Sequence, residues 1–230
     1  MDPDQFIRKI CHDLRAPLRA MKELPHWLAE DIARTYDGVD GDIHELIDMI
    51  TLQAGRMDRM IDSLGYYARL ERTEADPSCP VEPLLRDVAW AQRVRIKTTS
   101  SRLAMERVHA DDVIGHLISN AFKHGAGERG GVALLIADTD TGSVIQVSDE
   151  GPSVPPEHRA SVFDPLTTLK PRDDCEGSGM GLAIIARIAE MYGGTCNVHD
   201  GASGNGAVFQ FCLPMNACPP LRTKGARASA

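Results

Sequence analysis

The 230-residue chain contains no apolar run approaching the roughly 18 residues that a membrane-crossing helix needs, so no such helix is expected within it. Its opening residues, MDPDQFIRKI, are too polar for a signal peptide, which leaves any sensor or membrane segment to a longer parent preceding Met1. The six cysteines (Cys11, Cys79, Cys175, Cys196, Cys212 and Cys218) form no C-x-x-C pair, and no histidine cluster has zinc spacing. Reduced thiols in a cytoplasmic protein are the expectation. There is no Lys/Arg run, and the formal net charge is −8, so the chain offers no track for nucleic-acid phosphates. No internal repeat is present, and the only biased segment is the tail after Pro214. What remains is ordinary globular composition, 43% hydrophobic and 25% charged, enough for one large domain or two small ones.

From about Asp4 to Thr35, apolar residues recur at Ile7, Ile10, Leu14, Leu18, Met21, Leu24, Leu28 and Ile32, in the three- and four-residue steps of one long helix. With Ile7 at heptad position a, Ile10 falls at d and His12 at the outward f position, followed by Asp13. An imidazole placed there is solvated and reachable, and the adjacent carboxylate can hold one of its ring nitrogens. Pro17, one turn on, removes a backbone hydrogen bond and is expected to kink the helix. Asp37-Gly38-Val39-Asp40-Gly41 reads as a turn, and Asp42 as the cap of a second helix running to about Arg72. A hairpin with an apolar stripe on each arm cannot cover its own surface. A second copy, giving a dimeric four-helix bundle, is the simplest cover; packing on the rest of the same chain is the alternative.

The polar, proline-bearing segment 73–80 marks a boundary between a hairpin domain at 1–75 and a second domain at 81–214, with 215–230 a disordered tail. In the second domain, the pattern predicts a helix over 81–92, strands at 94–97 and 104–108, and a helix from Asp111 to His124 ended by Gly125. Strands at 132–137 and 144–148 follow, then a long loop over 151–179, a helix from Met180 to Tyr192, and strands at 195–199 and 207–213. The fold class is therefore α+β, with a helical hairpin ahead of a mixed-sheet sandwich.

Two places in this half carry candidate chemistry. His116, Asn120, Lys123 and His124 lie beside one another on the polar side of the Asp111–His124 helix, an arrangement able to meet a metal and a triphosphate. Asp149 closes a strand just before Gly151, where a ligand can approach closely. Gly177-Ser178-Gly179-Met180-Gly181-Leu182 opens the last helix, whose free N–H groups favour phosphate oxygens.

HDLRAPL at residues 12–18 resembles the phospho-accepting H box of sensor histidine kinases. HLISNAFKHG resembles the N box of their ATP domain, DEGPSVP the G1 box, VFDPLTT the F box and GSGMGLAI the G2 box, in the family's order and over roughly residues 5 to 213. The resemblance implies that His12 attacks the γ-phosphorus of ATP and that Asp13 fixes its tautomer and accepts its proton. It implies that Asn120 binds Mg²⁺, that Lys123 or His124 neutralises phosphate charge, and that Asp149 receives the adenine amino group. Gly151 belongs to the G1 box, while Gly177, Gly179, Gly181 and Leu182 belong to the phosphate lid. It also implies a homodimer that hands its phosphoryl group to an aspartate on a response-regulator receiver domain, with the 73–80 linker letting one domain swing against the other.

Three positions depart from the family pattern. His116 stands where Asn or a carboxylic residue is usual, Ser153 replaces the second glycine of G1, and Ala16 replaces the residue that orients water for dephosphorylating the regulator. Weak dephosphorylation by that route is expected. The first two departures keep open an alternative, a non-catalytic phosphotransfer or scaffold protein with a degenerate ATP domain.

Overall fold

The computed structural model describes residues 2–35, 41–74, 76–88, 94–125, 131–169, 177–201 and 205–215. By compactness the chain divides into two units, Met1–Arg69 with Lys170–Met180, and Leu70–Leu169 with Gly181–Ala230.

The first unit is built on helices α1 (Pro3–Thr35) and α2 (Gly41–Tyr67). Pro3 opens α1, where its missing N–H costs nothing, and Asp4 and Arg34 sit at the ends that suit the helix dipole. The helix runs without interruption through Pro17 and Pro25. The two helices meet along a seam with a seven-residue beat: Cys11 and Leu18 from α1, and Ile47, Ala54 and Ile61 from α2. Small residues let the backbones close up, and a Cβ added to Gly65 would lie 3.8 Å from that of Cys11.

The seam takes only part of the expected stripe: Leu18 is in it and Ile7 packs against it. Ile10, Leu14, Met21, Leu24 and Leu28 are exposed, as are Ile43, Leu46, Ile50 and Met57 on α2. The hairpin thus has two apolar faces, one covered by its own partner helix and one uncovered. The second helix also stops earlier than Arg72. Arg69 N–H folds back onto the Tyr66 carbonyl, and Arg8 donates to the Ala68 carbonyl at 2.6 Å, which satisfies the helix end.

The second unit carries a short strand β1 (Cys79–Pro80), α3 (Val81–Val88), β2 (Val94–Thr98), β3 (Arg102–Leu103) and α4 (Arg107–His124). These are followed by β4 (Val132–Thr139), β5 (Gly142–Ser148), α5 (Gly181–Met191), β6 (Thr195–Asp200) and β7 (Ala207–Pro214). β1 pairs with β3, and the main sheet has the order β2-β4-β5-β7-β6, parallel between β2 and β4 and antiparallel elsewhere. Alternate residues of the central strands (Leu134, Ile136, Ile145, Val147, Phe209 and Phe211) are buried, as are Val113, Ile114 and Leu117 of α4 and Ala183, Ile185 and Ile188 of α5. The sandwich expected from the sequence is the observed one.

The expected strand at 104–108 does not form. Met105 is fully buried, the Glu106 amide is taken by the Tyr192 hydroxyl, and Ala110 N–H already bonds Glu106 O, so α4 begins at Arg107 rather than at Asp111. The helix expected over 81–92 is described to Val88; residues 89–93 and the tail from 216 lie outside the described residues. Within the expected loop, short 3₁₀ turns form at Pro156–His158 and Ser161–Phe163. Gly142 (φ +150°) starts β5 where a Cβ would collide with the Leu213 carbonyl, so only glycine fits that crossing.

Candidate functional site

His12 projects from α1 with its side chain 84% exposed, and its Nδ1 lies 3.1 Å from Asp13 Oδ1. With Asp13 accepting an Nδ1–H bond, Nε2 carries the lone pair and faces outward. Behind it, Cys11 is buried in the seam, and that burial raises its thiol pKa against the opposing pull of Arg15 and Arg69. Arg15 bonds Asp62 across the two helices at 3.0 Å, a surface pair worth little by itself. His12 and Asp13 are therefore brought together by the helix alone.

In the second unit, the polar side of α4 carries His116, Asn120, Lys123 and His124, while Val113, Ile114, Leu117 and Ala121 occupy the buried side. Lys123 is exposed. Among the described residues, the Asn120 amide has no hydrogen-bond partner, which leaves its oxygen available. His116 packs against the first residue of α5: a Cβ on Gly181 would sit 3.3 Å from His116 Nδ1. Burial lowers the His116 pKa, Asp112 opposes this, and Lys123 adds to it, so the ring is neutral near pH 7. The departure at this position thus places an uncharged ring between the N-box helix and the N-terminus of α5.

Asp149 closes the cluster at the end of β5. It is 8% exposed, and its Oδ1 accepts Gly151 N–H at 2.8 Å and Ala207 N–H at 3.4 Å, while Oδ2 carries no hydrogen bond among the described residues. Burial raises its pKa, opposed by those two N–H bonds and by His124. The C-terminus of α4 is brought against it, since a Cβ on Gly125 would lie 2.9 Å from that of Asp149. Gly206 (φ +84°) passes so close to the Asp149 carbonyl that a side chain there would clash. Ser153 does not intrude: its hydroxyl donates to the Gly206 carbonyl at 2.8 Å, bracing the backbone that holds Asp149.

Asn120, His124, Asp149, Gly151 and Gly181 belong to this unit, with Leu182 half-buried one residue into α5. Gly177 (φ +158°) and Gly179 (φ +68°) fall in the first unit, so the structure does not assemble them with the others. Among the described residues, no group of three or more His, Cys, Asp or Glu could hold a metal ion. One free amide oxygen without a carboxylate cage suits a Mg²⁺ that arrives on phosphate oxygens.

Sequence reasoning missed a second polar cluster in this unit. Burial alone would raise the Glu106 carboxyl, yet N–H bonds from Glu74 and Thr73 hold it below its ordinary value. His109, buried and lowered in pKa by that burial, sets Nδ1 2.8 Å from the Tyr192 hydroxyl. Nothing in the local pattern announces this cluster, because Glu106 and His109 find their partners at Thr73, Glu74 and Tyr192, far away in the chain.

Residues 4–73 match the family model of the His Kinase A (phospho-acceptor) domain, and residues 105–217 that of the histidine kinase-, DNA gyrase B- and HSP90-like ATPase. The sensor histidine kinase ZraS of Klebsiella oxytoca is 30% identical over 218 residues, covering 90% of this chain and 45% of its own. The chain spans about half the length of the curated relatives it matches. Among solved structures, full-length ShkA in complex with AMPPNP aligns with a TM-score of 0.65 at 23% identity, over 96% of this chain and 48% of its own. The histidine kinase ThkA in complex with the response regulator TrrA aligns with a TM-score of 0.60 at 19% identity, over 90% and 61%. At such identities these two structures speak for the fold. Together the paired domains, in this order and on this architecture, show that the chain belongs to the sensor histidine kinases.

Proposed function

We propose that this chain phosphorylates itself on His12 at the expense of ATP and passes the phosphoryl group to an aspartate of a response-regulator receiver domain. The observation that carries the proposal is the His12–Asp13 pair, which ties up Nδ1 and leaves Nε2 open to solvent. Nε2 forms the new bond to the γ-phosphorus as the bond to the β,γ-bridging oxygen breaks and ADP leaves. Asp13 holds the Nδ1 proton as charge develops on the ring.

In the second unit, Asp149 would accept the adenine amino group on Oδ2, which takes no hydrogen bond among the described residues, and Lys123 or His124 would offset phosphate charge. Asn120 would hold Mg²⁺ together with the phosphates, and the ion supplies charge neutralisation there when bound. Gly151, Gly177, Gly179, Gly181 and Leu182 complete the nucleotide-binding set. The uncovered apolar face of the hairpin supports a homodimeric four-helix bundle. We divide the chain as 1–75 for dimerisation and phosphotransfer, 81–214 for ATP binding and 215–230 as a tail, and place it in the cytoplasm, away from direct membrane contact.

Incubation with γ-labelled ATP and Mg²⁺ tests the reading. The expected product is an acid-labile, base-stable label that is lost in His12→Ala. A folded sample that binds no ATP and takes up no label would replace the kinase with the non-catalytic alternative.

A further inference from the structure

The connection between the two units is anchored at both ends. On the hairpin side, Arg8 holds the Ala68 carbonyl. On the other side, the Glu106 carboxylate, from a residue 7% exposed, accepts Thr73 N–H at 2.6 Å and Glu74 N–H at 2.8 Å on Oε1, and the Thr73 hydroxyl at 3.2 Å on Oε2. Burying a carboxylate is costly unless its oxygens are satisfied, and here the linker backbone satisfies them. Glu106 also stands at the N-cap of α4, a position usually held by the shorter Ser, Thr, Asp or Asn, and it makes no capping bond to that helix. Its oxygens are turned from the helix to the linker.

The anchor is rigidly mounted. Glu106 N–H donates to the Tyr192 hydroxyl at 3.0 Å, Tyr192 is 2% exposed just past α5, and the same hydroxyl meets His109 Nδ1. The Arg72 guanidinium lies over the Tyr192 ring. Further along, Arg102 bonds both the hydroxyl and the carbonyl of Ser78, and Cys79–Pro80 pairs with β3. The proline-bearing segment that reads as a flexible linker is thus strapped to the ATPase unit.

We infer that Glu106 is a positioning residue for phosphoryl transfer: by clamping the Thr73–Glu74 backbone it confines the pivot between the units to Arg69–Arg72. This rests on the kinase reading above. Four residues reach at most about 14 Å, whereas release of the clamp frees the nine residues from Arg69 to Pro77, up to the Ser78 that Arg102 holds, with a reach of about 32 Å. Effective concentration falls roughly as the −3/2 power of tether length, so the nucleotide would meet His12 about threefold less often.

The test uses the full chain as wild type, Glu106→Ala and Glu106→Gln. It reads hydrogen exchange at the Thr73 and Glu74 amides, affinity for a fluorescent ATP analogue, and labelling of His12 at saturating ATP and Mg²⁺. In Glu106→Ala, exchange should speed up by about tenfold or more and labelling should slow by about threefold, with nucleotide affinity unchanged. Glu106→Gln keeps a carbonyl oxygen for both amides and should restore exchange and labelling. Unprotected Thr73 and Glu74 amides in the wild type, or wild-type labelling in Glu106→Ala, would overturn the inference. Should Glu106→Ala not fold, a Gly-Ser-Gly insertion after Glu71 should slow labelling while the same insertion after Asp76 should not; equal effects overturn it. A wild type that never takes label sinks the kinase reading, and amide exchange then still decides whether the clamp exists.

Discussion

The hairpin and the ATPase unit bury their apolar residues to very different extents. In the ATPase unit the inner face of the sheet is closed by α4 and α5, and Phe211, Ile145 and Ile185 are within 1% of full burial. In the hairpin, a narrow seam of Cys11, Leu18, Ala54 and Ile61 is covered, while Leu24, Leu28 and Ile50 remain about half exposed. The first unit is thus an incomplete core and the second a finished one. The ATPase unit closes its own apolar core, whereas the helical hairpin leaves one apolar face for something else to cover.

The largest test of that contrast is to charge the uncovered face. Each Leu or Ile buried in a dimer contributes about 1.5–3 kcal/mol, and a carboxylate placed there costs several kcal/mol more. Leu24→Asp with Ile50→Asp should therefore yield a monomer by sedimentation, with nucleotide affinity unchanged. A dimer that survived would show that these residues are not its core.

A smaller effect separates the units by pH. His109 and His116 have folded-state pKa values below the ordinary 6.5, so below that pH the unfolded chain binds more protons than the folded one. The stability they contribute is complete above about pH 6.5 and is lost as pH falls through their lowered folded-state values. Melting of the ATPase unit, followed between pH 7.5 and 5.5, should move to lower temperature, and His109→Gln should flatten that slope. The smallest effect belongs to Ser153→Gly, which removes one hydrogen bond to the Gly206 carbonyl worth about 1 kcal/mol. Nucleotide affinity should fall by no more than about fivefold; a gain would mean that the serine narrows the site.

Most of the architecture was legible because its signals are local. Heptad spacing marked α1 and α2, alternation marked β4, β5 and β7, and glycine pairs marked the stop of α5. The polar face of α4 and the strand-end Asp149 were legible for the same reason, since each lies within a few residues of its structural cue. What was not legible depends on distant partners. Residues 104–108 alternate like a strand, yet Met105 and Glu106 are claimed by the core and by Tyr192. The seam went to Cys11 rather than to Ile10 and Leu14 because small side chains allow the closest helix approach, and composition alone cannot say which of two apolar faces the partner helix will take. Ser153 read only as a departure from the G1 pattern, because the partner of its hydroxyl, the Gly206 carbonyl, lies 53 residues away in sequence.

The thiol of Cys11 has a further use. Locked between two helices one residue before His12, it can meet an alkylating reagent only when the hairpin parts at that level. Its rate of modification is therefore a native clock for how often the hairpin opens beside His12, with no probe added to the chain.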